Sequence, residues 1–162
     1  MAADYLVSSL PALEFDAPAP LSLEEFDARC REQLGADPFS RLEEKWRDLE
    51  TQMRNASAEE RARAREQDPS KWRRPANGCS LHWQNRIREA FAEKDPAKRE
   101  RLLDKARWDA AADMTPPQSP LSREAAFTYR IRLQIALKRQ SISQEAGNAA
   151  FERAVGTGRA GE

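Results

Sequence analysis

Along most of the chain, apolar residues recur at intervals of three and four, the period of helices that bury one face. Leu23, Phe26, Cys30 and Leu34 share one stripe. Ser22 and Glu25, just ahead of it, have the spacing of a capping box, in which each side chain satisfies an orphan backbone amide. Gly35 suits a left-handed stop. Asp37-Pro38 then predicts a second start, with Asp37 as N-cap and Pro38 as first helical residue. Phe39, Leu42, Trp46, Leu49 and Met53 form a narrow seam for pairing with one or two helices. From Asn55 to Asp68, Ala, Glu and Arg dominate, and no large apolar residue occurs before Trp72. Their high propensity predicts that this helix continues, packed through alanines, until Asp68-Pro69 ends it. Lys71 to Gly78 reads as a loop. Ser80 caps the next helix, whose inner face is Trp83, Ile87, Ala90 and Phe91. Asp95-Pro96 opens another, with Leu102, Leu103, Ala106 and Ala110 as its stripe and Trp108 at the edge. Residues 115–120, rich in proline, predict a stiff extended linker. Phe127, Ile131, Leu133, Ile135 and Leu137 cover most of a helix circumference, which marks the central helix. Ser141 and Gln144 repeat the capping-box spacing and predict a separate last helix bearing Ala150, Phe151 and Val155.

Residues 4–15 form the most strand-like stretch, but a lone strand has nothing to pair with. Pro11, Pro18 and Pro20 force an extended course. Residues 1–20 are therefore read as an extended apolar arm lying across the helices, 21–155 as the helical domain, and 156–162, with Gly156, Gly158 and Gly161, as a flexible tail. Composition supports an all-α fold. Val, Ile and Thr together number 10 of 162 residues, too few for a sizeable sheet. Leu, Ile, Val and Phe number 26 while Ala alone numbers 27, so the core is thin and much of it is alanine. The expected architecture is a small helical bundle of about five to six helices with an extended N-terminal arm.

Charge adds a second pattern. Lys and Arg total 27, as do Asp and Glu, so the net charge is zero. Yet residues 1–30 carry a net −5 and residues 61–88 a net +6. Such segregation can orient a partner, although solvated helix faces produce it as well. The basic stretch supplies the candidate contact residues: Arg61, Arg65, Lys71, Trp72, Arg73 and Arg74, with Trp72 as the anchor. The spacing of Arg61, Arg63 and Arg65 puts them on different helix faces, and no nucleic-acid module surrounds them. An acidic protein surface is thus preferred over RNA or DNA as the partner. Arg54, Asn55, Arg107 and Trp108 form two polar motifs read as structural. Arg54 and Arg107 are expected to pair with carboxylates in the bundle and Asn55 to hydrogen-bond backbone, the alternative being that they face a partner.

No catalytic constellation stands out. Cys79 and His82, with Cys30, make three zinc ligands where a structural site needs four. A Cys–His pair at this spacing lacks an orienting group, and no glycine-rich phosphate loop is present. No enzyme activity, small-molecule substrate, cofactor or metal is expected. With no run of about 18 apolar residues and no signal-peptide pattern, a cytoplasmic protein with reduced thiols is expected.

Several segments together resemble one family. They are Tyr5-Leu6-Val7-Ser8-Ser9-Leu10-Pro11 with Phe15-Asp16 and Pro18; Ser22 with Glu24-Glu25-Phe26 and Cys30; Met53-Arg54-Asn55; Asp95-Pro96 through Glu100-Arg101-Leu102-Leu103 to Arg107-Trp108-Asp109; and Tyr129, Ile131, Leu133-Gln134-Ile135 with Glu145-Ala146-Gly147 and Phe151. In this order they resemble a bacterial family encoded within V-type ATPase operons. That family is distantly similar to the all-helical cap of V-type enzymes, the component seated between rotor stalk and membrane ring. The resemblance implies a non-catalytic accessory or coupling component of a V-type ATPase, or an assembly factor. Its implied partners are stalk or membrane-ring subunits, met at the inner membrane without insertion. The alternatives are a free-standing helical adaptor and a nucleic-acid binder acting through residues 61–74.

Overall fold

A computed structural model describes residues 2–78 and 80–159. Among them are six α-helices and no strand: α1 (Ala2–Ser9), α2 (Leu23–Leu34), α3 (Ser40–Ala64), α4 (Leu81–Phe91), α5 (Pro96–Ala112) and α6 (Arg123–Arg159), with one 3₁₀ turn at Pro69–Lys71. The protein is an all-α bundle.

The caps explain most helix starts. The Ser22 hydroxyl accepts from the Glu25 amide and the Glu25 carboxylate accepts from the Ser22 amide, the complete capping box of α2. Ser80 caps α4, and Asp95 accepts from the Ala97 amide at 2.9 Å to open α5 at Pro96. Gly35 closes α2 at φ +87°, a conformation free of steric penalty only for glycine.

Five local expectations need correction. Residues 2–9 are helical rather than extended: nothing before Pro11 forbids a helix, and Asp4 sits favourably in its first turn. The rest of the arm runs without helix, as expected, and plugs the core with Phe15. The Asp37-Pro38 start fails. Asp37 adopts φ +50°, and α3 begins at Ser40, because Phe39 is buried against Phe127 with ring centroids 5.4 Å apart. The seam helix ends at Ala64, before Asp68-Pro69. Residues 115–120 form turns rather than an extended linker, with the Ser119 amide bonding the Pro116 carbonyl at 2.9 Å. Finally, Ser141 starts nothing. With no Gly or Pro just before it, the backbone ladder runs through, and α6 continues unbroken to Arg159, past the boundary set for the tail at 156. Gly161 lies outside the described residues.

Two apolar clusters make the core. The first joins α1, the arm, α2 and the proximal half of α6, around Leu6, Phe26, Phe127 and Leu133. The second joins α3, α4 and α5, around Met53, Trp83, Ile87 and Ala106. α5 serves both. Its Trp108, expected at the edge, is buried in the first cluster edge-on to Phe15, whereas Leu102 is exposed. Trp46 packs against both clusters. Charged clasps tie the arm across α5 and α6: Asp16 reaches Arg101 at 2.6 Å and Arg139 at 3.2 Å. The hydrogen bond from Arg101 is the main cause holding the Asp16 carboxyl below its ordinary range.

Cys30 is buried, and burial pushes its thiol up to about 11, which disfavours the thiolate at neutral pH. No group of three His, Cys, Asp or Glu that could hold a metal exists among the described residues, which exclude Cys79.

Candidate functional site

The C-terminal half of α3 presents two polar faces. One reads Asp48, Gln52, Asn55 and Glu59, spaced four, three and four, and it clasps the chain that returns after α3. Asn55 donates to the Arg74 carbonyl at 2.7 Å and accepts from the Arg74 amide at 2.9 Å. Gln52, buried, donates to the Asn77 carbonyl at 2.9 Å and accepts from the Ser80 amide at 2.8 Å. Glu59 takes Arg73 at 2.6 Å. Side-chain amides here replace the backbone partners that an irregular segment lacks.

α3 ends in a Schellman turn. The Gln67 amide bonds the Ala62 carbonyl at 2.9 Å and the Glu66 amide bonds that of Arg63 at 3.2 Å. Glu66 occupies the left-handed position, φ +53°, where glycine is usual. Asp68 restarts the chain by accepting from the Ser70 amide and hydroxyl, and these hydrogen bonds hold its carboxyl below the usual range.

The other face of α3, the returning segment and α5 enclose a half-open cavity of about 510 Å³. Arg54 and Arg61 come from α3 and Arg65 from its C-cap, at spacings of seven and four. Trp72 and Arg74 come from the returning segment, and Arg107 from α5. Gln67 and Asn55 complete the polar part of the wall, and no lining residue is acidic. Five guanidiniums therefore border one space in a protein whose acids and bases balance. Elsewhere several arginines pair with carboxylates, as in Arg63–Glu60, Arg86–Asp109 and Arg130–Asp27.

Inside the cavity the pairing is incomplete. Arg54 meets Glu50 at 3.3 Å, and Arg107 meets the buried Asp104 at 3.7 Å. Asp104 in turn is met by Lys138 at 2.8 Å and Arg139 at 3.6 Å. Arg61 sits 5.7 Å over the Phe91 ring. Arg61, Arg65 and Arg74 have no carboxylate partner among the described residues. Trp72 is half exposed and stacks on no other ring among them.

The two sequence-derived sets thus converge. Arg61, Arg65, Trp72 and Arg74 of the basic stretch share the wall with Arg54, Asn55 and Arg107 of the polar motifs. Arg107 reaches the buried Asp104 and Asn55 bonds backbone, but Arg54 meets Glu50 on the exposed helix surface rather than inside the bundle, and all three border the cavity. Lys71 and Arg73 are not in the wall. Trp108 is in the core. Sequence reasoning followed the adjacent spacing of Arg61, Arg63 and Arg65 and so missed the face made by Arg54, Arg61 and Arg65. The signal was helical periodicity applied to charge rather than to apolar residues.

The fold defines an all-α protein with a cationic cavity and a projecting C-terminal helix. In comparisons with known proteins, no family model, no curated protein and no solved structure matches the chain.

Proposed function

We propose that this chain is a non-catalytic accessory or coupling component of a bacterial V-type ATPase, working by protein contacts. The observation that carries the contact role is the distal half of α6. Every residue from 141 to 156 is exposed, including Ile142, Phe151 and Val155. This extension is held by its own backbone ladder without tertiary packing, from which most helical stability comes, and Gly147 and Gly156 lower its propensity further. Docking on a partner supplies the missing stabilisation.

Membership of the ATPase is supported by the sequence resemblance. Leu6, Phe26, Cys30, Ile131, Leu133 and Ile135, which carry part of that resemblance, are buried in the first core cluster. A family sharing them is expected to share this body. No helix among the described residues is long and apolar enough to cross a membrane.

The test is affinity capture of the tagged full-length chain from its native cells, with and without detergent, read by mass spectrometry. Stoichiometric recovery of rotary ATPase subunits is expected, and detergent-free recovery would assign the contact to the soluble stalk. Recovery of none, from cells expressing the ATPase, would overturn the reading and leave a free-standing helical adaptor.

A further inference from the structure

We propose that the arginine-walled cavity binds a nucleoside polyphosphate, with the phosphates on Arg61, Arg65 and Arg74 and the base on Trp72. Three features of the wall point to that class of ligand. The first is charge. Glu50 and Asp104 offset Arg54 and Arg107, which leaves three guanidiniums without carboxylates around one space. A terminal phosphate carries about −1.5 to −2 near neutral pH, so two or three linked phosphates match that excess and a single carboxylate does not. The second is donor geometry. Guanidinium presents several N–H groups in a planar fork suited to phosphate oxygens. The third is shape. At about 510 Å³ the cavity lies within the range of small-ligand sites, roughly 300–1,000 Å³.

Trp72 selects a ligand with a ring over bare polyphosphate. It is the one aromatic side chain in the wall, half exposed and unstacked. Gln67 lies in the same wall with a side-chain amide able to meet a base edge. The bounded wall also separates this site from a single-stranded nucleic-acid groove, which lines up several rings for successive bases. An acidic peptide would call for backbone groups that pair with its main chain, and every polar group of this wall belongs to a side chain named above, with Ala58, Ala62 and Trp72 as its apolar residues.

The wall is also built to persist without a ligand. Asn55 fixes Arg74 through both backbone hydrogen bonds, and the Schellman turn fixes Arg65 and Gln67. A fixed backbone beneath the donors removes part of the ordering cost of binding and leaves the guanidiniums to settle on the ligand. None of the wall comes from α6, so this site and the proposed docking of residues 141–156 can each fail without the other.

Isothermal titration of the full-length chain tests it, using ATP, sodium tripolyphosphate, an oligouridylate and a hexaglutamate peptide as probes. ATP is expected to bind at one site with an affinity that falls as salt rises. Arg65→Ala with Arg74→Ala should weaken ATP and tripolyphosphate alike by about tenfold or more, about 1.4 kcal/mol. Neither side chain has a carboxylate partner, so the far-UV circular dichroism should not change. Lys at both positions should restore part of the affinity. Trp72→Ala should weaken ATP several-fold and leave tripolyphosphate unchanged. Equal affinity for the two, untouched by Trp72→Ala, would overturn the nucleoside assignment. No binding of either at millimolar concentration, binding indifferent to the arginine pair, or tighter binding of oligouridylate or hexaglutamate would overturn the proposal.

Discussion

Two residues hold more than their neighbours suggest. Glu66 takes a left-handed conformation that costs a non-glycine residue about 1–2 kcal/mol, so that the Schellman turn can place Arg65 and Gln67 in the cavity wall. Glu66→Gly should raise stability by up to about 1 kcal/mol in urea unfolding, with the wall intact; a loss of stability would show that the Glu66 side chain contributes more than its backbone strain. Asp104 is buried on α5 and faces Lys138, Arg139 and Arg107. Removing Asp104 leaves three cations that water partly solvates, so the loss falls short of the ~3–5 kcal/mol of a fully buried pair. Asp104→Ala is therefore expected to lower the unfolding free energy by about 1–3 kcal/mol, and a change below about 0.5 kcal/mol would show that water already screens the cluster. Sequence alone did not single out Asp104, because a carboxylate on a charged helix looks the same whether it faces solvent or three cations, two of them from a distant segment.

Pairs of elements depend on a few polar links. Asn55 and Gln52 hold the segment between α3 and α4 to α3. Loss of the two Asn55 bonds in Asn55→Ala should cost about 1–2 kcal/mol and speed hydrogen exchange at Arg74 and its neighbours before the helices respond. Unchanged exchange there would show that Gln52 suffices. Between α4 and α5, Arg86 and Lys105 converge on Asp109. Burial raises the Asp109 carboxyl, but the hydrogen bonds and charges of Lys105 and Arg86 outweigh it, and the net shift is below its ordinary value. A depressed folded-state value makes the stability contribution complete above the unfolded carboxylate range and loses it as pH falls through the folded value. Asp109→Asn should thus reduce the loss of stability between neutral pH and acid, measured by urea unfolding across pH; an unaltered slope would remove Asp109 as a cause. At this scale the sequence was readable where local chemistry decides. The Ser22–Glu25 box, Asp95-Pro96 and the Phe127–Ile135 face formed as their residue types dictate. It misled where tertiary contact overrides local signals, as when Phe39 enters the core and displaces the start offered by Asp37-Pro38.

Across the whole molecule, the body and α6 divide the work. α5 joins the two core clusters, the arm straps α5 to α6 through Asp16, and α6 leaves the body near Gln140, whose side chain accepts from the Ala19 amide at 3.0 Å. Beyond that point the helix has no cover among the described residues. The chain's neutrality hid the cavity, since balanced totals say nothing of how guanidiniums group in space. Likewise Ser141 and Gln144 hid the projection, because they spell a start in sequence and sit mid-helix in the fold. The direct test of a bare helix awaiting a partner is hydrogen exchange, read by mass spectrometry, on residues 141–156 of the isolated protein and of the protein recovered with its native assembly. Exchange within seconds in isolation, slowed at least about a hundredfold in the assembly while the rest of the chain is unchanged, is the expected result. Residues 141–156 that exchange equally fast in both states, or that are already protected in the isolated monomer, would contradict a docking role for the distal half of α6.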